Sequence, residues 1–370
     1  MIGVAAAFSP SYALARRQFL DGCAAAGLAV RSHAHPLKGR DGEDLAMDVA
    51  LDGAPDAERL LLVTSACHGV EGHCGSGVQV FALHDAEWRE KARAGGVAVL
   101  YVHALNPHGF SHGRRVTHEN VDINRNFVDF DSNAALPQNT AYAQLHALLL
   151  PAQWPPTPDN EAAIAQWIGA HGIPAYQAAV TAGQYQFPDG MFYGGQAPTW
   201  SNRTLRAVLR EHGRAARRIA WIDLHTGLGP NGHGERIFAC RDDRAAYLRA
   251  NAWWGREHAV TSVYDGSSTS SMLNGLMCNS VYEECPQAEY TGIALEYGTL
   301  PMLEVTGALR ADHWLHRHGS HQAEAASLAP SIRRQMRDAF YTDTDAWKGQ
   351  IISQARQAMF QAVDGLQGKA

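Results

Sequence analysis

The sequence has no C-x-x-C pair and no dense cysteine framework. Its six cysteines (Cys23, Cys67, Cys74, Cys240, Cys278 and Cys285) are spread over 370 residues. Such spacing speaks against a disulfide scaffold or a zinc knuckle, and reads as reduced, mostly buried thiols of a cytoplasmic protein. No apolar run approaches membrane-spanning length, and the apolar start (residues 1–8) has no basic region and is broken by Ser9-Pro10, so neither an anchor nor a signal peptide is expected. Excess positive charge is missing as well. The formal charge is -6 and the pI about 6.3, so no electrostatic argument favours nucleic acid or an anionic membrane as partner. There is no Gly-x-Ser-x-Gly elbow and no cysteine with a positioned base, which argues against a serine or cysteine nucleophile. No internal repeat, low-complexity tract or linker divides the chain. One domain over 1–370 is expected, with an irregular insertion at about 129–202 and a helical tail at about 321–365.

What is present suits a soluble enzyme: 46% hydrophobic and 18% charged residues, enough for a sizeable core. Nineteen histidines is a high count, but most are scattered and need no metal to explain them. The organising stretch is 60–72. Leu60-Leu61-Leu62-Val63 reads as a buried strand, and His68-Gly69-Val70-Glu71 follows at its carboxyl end, where open α/β sheets build their sites. An imidazole and a carboxylate three residues apart across a strand-to-helix turn can face one cation. Taken alone, the pair is equally well a polar turn with a solvated Glu.

Around it the chain alternates strand and helix signals. Ser9-Pro10-Ser11 starts a helix that Gly27 stops, and 28–33 and 45–51 read as paired strands joined by the polar turn 38–42. A helix is expected over 75–84 and a second buried strand over 97–102. From 129 the pattern loosens, with helix candidates at 140–150 and 159–170 and an aromatic, Gly-rich run at 184–195 that has no regular period. A loop of this kind is expected to wall or cover a pocket. A helix over 203–216, strands at 219–224, 236–240 and 292–298, a helix at 243–257 and one opened by Pro301 complete the rhythm of an α/β sheet.

Three polar strand ends stand out: His68 with Glu71, His225 after the 219–224 strand, and Glu296 within the 292–298 strand. A hydrolytic zinc site needs three protein ligands, an open position for water and a carboxylate beside that water. His68, Glu71 and His225 supply the ligands, leaving Glu296 as general base. Between them, 113–127 repeats Arg and Asn among Gly and Asp without helical spacing, as suits a loop that grips a carboxylate or an oxyanion with planar donors. A single Arg there would be read as a surface charge; several beside a metal loop reverse that preference.

In their order these pieces resemble the zinc carboxypeptidase superfamily, that is, carboxypeptidase A and its bacterial peptidase and amidase relatives, with the aspartoacylase/succinylglutamate desuccinylase branch more distant. The matching motifs are His-x-x-Glu at 68–71, Asn-Pro-x-Gly at 106–109, Val-Asp-x-Asn-Arg-Asn-Phe at 121–127, Asp-x-His at 223–225 and a late Glu in Leu295-Glu296-Tyr297. The resemblance implies an α/β/α sandwich around a mixed, roughly eight-stranded sheet and one catalytic zinc ion held by His68, Glu71 and His225, with Glu296 as base. It further implies that Arg115 polarises the scissile carbonyl, that Asn124 and Arg125 hold the substrate's terminal carboxylate, and that Asp122 orients His68.

The chain departs from the pattern in places. The family's Asn-Pro-Asp-Gly is Asn106-Pro107-His108-Gly109 here, read as a turn variation. No tyrosine is assignable as the one that closes over substrate, Tyr264, Tyr282 and Tyr290 being equal candidates; Arg114 competes with Arg115. His73 and Cys74 read as packing residues, Cys67 as core on the far face of its strand, and His313, His316, His318 and His321 as a solvated face. Hydroxyls of 265–271 are candidates to line the pocket. The expected activity is hydrolysis of an amide bond next to a free carboxylate, on a small peptide or an acyl amino acid. An N-acyl amino acid deacylase is the near rival, and a non-catalytic metal-binding regulator is the rival from another class. Oligomeric state and side-chain preference are not legible.

Overall fold

In chain order the strands are β1 (Val30–Lys38), β2 (Asp44–Asp52), β3 (Arg59–Thr64), β4 (Ala98–His103), β5 (Arg218–Asn231), β6 (Gly234–Phe238), β7 (Val260–Ser262) and β8 (Glu289–Gly298). The continuous apolar runs become inner strands, since a strand covered on both faces needs no alternation. β3 and β4 are buried along almost their whole length. The structure, a computed structural model, describes every residue except 1, 133, 257–258, 320–322 and 370.

The strands form one mixed sheet in the order β1-β2-β4-β3-β5-β8-β6-β7. β4, β3, β5 and β8 run parallel in the middle, and antiparallel pairs flank them, β1/β2/β4 on one side and β8/β6 on the other. Helices Gly72–His84, Ala86–Ala94, Arg244–Trp254 and Asp345–Leu366 touch one another on one face. Leu224 packs toward the first of them, beside Gly75. Trp200–His212 and Ser280–Glu284 pair on the opposite face, completing the α/β/α sandwich. Among the described residues no helix is long and apolar enough to cross a membrane.

Several elements differ in extent from the sequence expectation. The helix expected over 203–216 is Trp200–His212, because the Thr199 hydroxyl accepts the Asn202 N–H and sets an earlier start. The helix expected from 75 begins at Gly72, directly after Glu71. Within 129–202, Thr140–Leu149 and Pro158–His171 are helical and a third helix, Ile173–Thr181, follows Gly172; nine residues with an early proline are too few to show a period. These three helices, loop residues Met191 and Phe192, and Val305, Leu309 and Phe340 form a second apolar cluster beside the main one. The tail carries helices Ala323–Phe340 and Asp345–Leu366.

Candidate metal centre and its cavity

The turn after β3 is held from below by the segment after β4. Gly69 N–H donates to Arg115 O at 3.1 Å and Val70 N–H to Arg114 O at 2.8 Å. A Cβ at Gly69 would lie 2.1 Å from the Gly109 carbonyl carbon, so only glycine permits this approach. Asn106 fixes the other side. Its Oδ1 accepts the Gly109 N–H at 2.8 Å, its amide donates to Arg115 O at 3.2 Å, and Pro107 opens the short helix Pro107–His112. The Asn-Pro-x-Gly motif is therefore a brace for the His-x-x-Glu motif.

Three strands then converge; His68 follows β3, whereas β5 runs on past the expected 219–224 to Asn231 and so holds His225 within it, as β8 holds Glu296. His225 on β5 and Glu296 on β8 are direct register partners in a parallel pair and project to the same side. Glu71 reaches between the imidazoles: its Oε1 is 2.9 Å from His68 Nδ1 and its Oε2 is 3.2 Å from His225 Nδ1, with Thr226 N–H at 3.0 Å. The ligand atoms of His68, Glu71 and His225 lie within 4.8 Å of one another. Each imidazole has its other nitrogen against a carboxylate, His68 Nε2 at 3.1 Å from Asp122 Oδ1 and His225 Nε2 at 2.6 Å from Asp223 Oδ2. That arrangement turns both Nδ1 atoms toward Glu71. Asp223 is fixed in turn by Thr64 Oγ, 2.5 Å away and itself bonded to the indole N–H of Trp221 at 2.7 Å.

The charges are arranged for a cation. Glu71, Asp122, Asp223 and Glu296 are buried beside two buried guanidiniums, Arg115 and Arg125. The carboxyl groups outnumber the guanidiniums by two, an acidic surplus that suits a divalent ion. Burial opposes ionisation of Glu71, yet the two histidines hold it well below the ordinary carboxylate range. His225 is likewise opposed by burial, but Asp223 and Glu71 hold it well above the usual imidazole range. Burial, then the charge of Glu71, pushes Glu296 up to about 8. Two Nδ1 atoms and one carboxylate are an ordinary zinc donor set, so these residues fit the ion.

Arg115 lies against this group, its Nε on Asp122 Oδ2 (3.0 Å), Nη1 on Glu71 Oε1 (3.4 Å) and Nη2 on His68 Nε2 (2.8 Å). Arg114 turns away to Asp312 at 2.9 Å, which separates the two candidates. Arg125 donates to Thr181 O through Nε and Nη2 and to Asn124 O through Nη1, leaving one N–H on each terminal nitrogen. Asn124 Oδ1 accepts the Met277 N–H. His68, Glu71, Arg115, Asn124, Arg125, Thr181, His225, Thr226 and Glu296 line one cavity of about 800 Å³, open mouth included. Its remaining walls are largely apolar: Ile237, Ala239, Leu276, Ala294, Val305 and Leu309 among them.

The 184–195 run forms a wall, as expected, and Phe192 is the residue that sequence reasoning missed. Its ring lines the cavity between two cations, 4.9 Å from Arg115 Cζ and 5.5 Å from Arg125 Cζ, and its backbone sits at φ 52°, strained for a side chain of this size. The loop clasps 122–126: Asp122 N–H donates to Tyr193 O, Tyr185 Oη to Arg125 O, and Asn126 Nδ2 to Gly194 O. Gly183, at φ 97° and pressed against Arg125 Cδ, allows the chain to enter the clasp. Gln177 and Thr181, from the unexpected third helix, also line the cavity.

Other expectations are sorted by position. Ser270 lines the cavity, as anticipated for 265–271. Tyr264 donates to Cys240 O, and none of Tyr264, Tyr282 and Tyr290 lines the main cavity. His73 bonds Ser9 O and packs on Phe110 and Tyr341. His313 bonds Leu309 O within its helix and is buried, so the solvated-face reading fails for it; His316 is exposed, as read, His318 is half-buried, and His321 lies outside the described residues. Cys67 is core, as read, but not on the far face. It is buried, but its sulfur lies within 4.8 Å of Asp223 and His225, on the site's side. β3 has already ended at Thr64 and Ala66 takes φ 56°, so strand alternation no longer governs Cys67. Burial holds its thiol well above the usual range, against a thiolate ligand.

The family described as "Protein of unknown function (DUF2817)" matches residues 8–354. No curated protein matches the chain. Among solved structures it is similar to carboxypeptidase A from Helicoverpa armigera (10% identity over 89% of this chain and 73% of that one, TM-score 0.47). It is also similar to bovine thrombin-activatable fibrinolysis inhibitor in complex with tick carboxypeptidase inhibitor (8% identity, 98% of each chain, TM-score 0.49). A third is the metallo-carboxypeptidase from Pseudomonas aeruginosa in complex with (2-guanidinoethylmercapto)succinic acid (13% identity, 95% of this chain and 69% of that one, TM-score 0.43).

Proposed function

The chain belongs to the DUF2817 family, and we propose that its cavity is the active site of a zinc-dependent hydrolase that cleaves an amide bond next to a free carboxylate. The observation that carries the reading is the Glu71 carboxylate facing both Nδ1 atoms while Glu296, the register neighbour of His225, faces the same cavity. His68, Glu71 and His225 would hold the ion, which when bound supplies a water acidified from about 15.7 toward 7 and polarises the amide carbonyl.

The chain's own groups do the remainder. Asn124 and Arg125 hold the terminal carboxylate through the side-chain amide and the two uncommitted guanidinium N–H groups. Arg115 stands beside His68 and Glu71 to steady charge that develops on the carbonyl oxygen. Glu296 accepts the water's proton as its oxygen bonds to the carbonyl carbon. It returns that proton to the nitrogen as the C–N bond breaks, releasing an amine and a carboxylate. Asp223 holds His225 in the tautomer that keeps Nδ1 free, and Asp122 orients the His68 ring. The apolar walls favour a substrate with an apolar group next to its carboxylate.

The test is a panel of short peptides with apolar carboxyl-terminal residues, their carboxyl-terminal amides, and N-acyl amino acids. Free-carboxylate substrates should be turned over and the amides not. Glu296→Gln should lose about 10²–10⁴ in kcat with its zinc content unchanged. Full kcat in Glu296→Gln would overturn the mechanism. Turnover of acyl amino acids alone would assign the deacylase reaction instead.

A further inference from the structure

Histidines that are scattered in sequence gather at a second place, outside the cavity lining. His35 stands on β1, His108 and His112 on the helix Pro107–His112, and His118 on the segment that follows it. The ring centroids of His35, His108 and His118 form a nearly equilateral triangle with sides of 5.9, 5.4 and 5.4 Å. A zinc ion about 2.1 Å from each of two nitrogens, at a tetrahedral angle, sets ring centroids about 5.2 Å apart. The candidate metal pair His68 and His225 sits at 5.0 Å. His112 is different: it stacks on His108 at 4.1 Å and 16°, too close and too parallel to share the ion, and acts as a packing neighbour.

Two further observations point to a ligand. His108 Nδ1 is buried without a hydrogen-bond partner, an unusual state for an imidazole nitrogen. Burial and the neighbouring histidines push His108 down to about 3 and burial lowers His35, so both rings are neutral and have a lone pair to give at pH 7. Glu119 lies 3.8 Å from His118 and offers a carboxylate for a fourth position.

We propose that His35, His108 and His118 form a second zinc site, structural in role, which ties β1 to the braced segment leading into Arg114 and Arg115. Among the described residues, only groups at the cavity bring three ligand atoms within 4.8 Å of one another. Loading therefore requires the rings of His35 and His118 to turn inward. His118 is exposed and free to do so, and His35 exchanges its bond from the Leu37 N–H for water.

The test uses untagged protein, stripped with chelator and titrated with zinc alone, and counts bound equivalents by mass spectrometry. Wild type should bind two, His68→Ala one, His118→Ala one, and the double variant none. Zinc should also raise the melting temperature of His68→Ala but not that of the double variant. His118 is a surface residue, so its replacement leaves folding intact; His108→Gln, checked by circular dichroism, should lose the same equivalent. The proposal is overturned if His118→Ala and His108→Gln each bind as much zinc as wild type. One equivalent that survives His68→Ala and vanishes in His118→Ala would uphold this site while removing the catalytic ion. The reverse pattern would do the opposite.

Discussion

The cavity has two walls of different construction. One is made of the central strands: His68 after β3, His225 on β5 and Glu296 on β8, fixed by sheet register and, for His225, by Asp223 behind it. The other is made of segment 122–126 and loop 184–195, fixed by hydrogen bonds between two irregular stretches about sixty residues apart. A sheet places a carboxylate to within the tolerance that chemistry needs. A clasp of loops forms the other wall, which under the proposed function would grip the substrate.

The contrast can be broken from either side. On the strand wall, Asp223→Asn should weaken zinc about 10- to 100-fold by freeing the His225 ring, as read by chelator competition, and leave the KM of zinc-saturated enzyme close to wild type. Unchanged zinc affinity would deny Asp223 its orienting part. On the loop wall, Arg125→Ala should do the reverse. With loss of about 1.5–3 kcal/mol of charged hydrogen bonding, KM should rise about 10- to 100-fold while zinc content holds. Phe192→Leu keeps bulk but removes the ring between the two guanidiniums. A rise in KM of about 3- to 10-fold is expected, with Phe192→Tyr near wild type; equal loss in both variants would point to packing instead.

The smallest effect touches both sides. His103 ends β4, and His313 lies in the helix Met302–His318, which lines the cavity; burial pushes each down to about 4. An unfolded imidazole titrates near 6.5. The unfolded chain therefore binds more protons between these values, and stability is full above 6.5 and lost as pH falls toward 4. Glu296 and His225, whose protonated forms the fold favours, oppose this trend, so the effect is read as a difference: between pH 7 and pH 4.5 His103→Gln should lose less melting temperature than wild type. Equal losses in the two would contradict neutral burial of His103.

The same two walls mark what could be read from residues alone. His68, Glu71, His225 and Glu296 each sit at or beside a strand whose apolar run is visible, so a local pattern locates each one. Arg115 was separable from Arg114 only through Asp312, some two hundred residues away. Phe192 and Thr181 carry no motif, and their place in the cavity depends on the Gly183 turn and on long-range hydrogen bonds. Cys67 was misplaced because strand alternation was carried past the end of its strand. His35, His108 and His118 come from three elements with no common spacing, so only the fold gathers them.

The clasp has a consequence for motion. The amides of Asp122, Gln184 and Gly194 donate to Tyr193, Phe192 and Gln184 respectively, so each is protected by a bond inside the same short circuit of chain. They can exchange with solvent only when that circuit opens as a unit. A molecule that fills the cavity and holds Phe192 in place should slow deuterium uptake at all three, including amides it never touches, as exchange mass spectrometry would read. Under the proposed function, a substrate would leave its imprint on the timescale of a loop rather than on its shape.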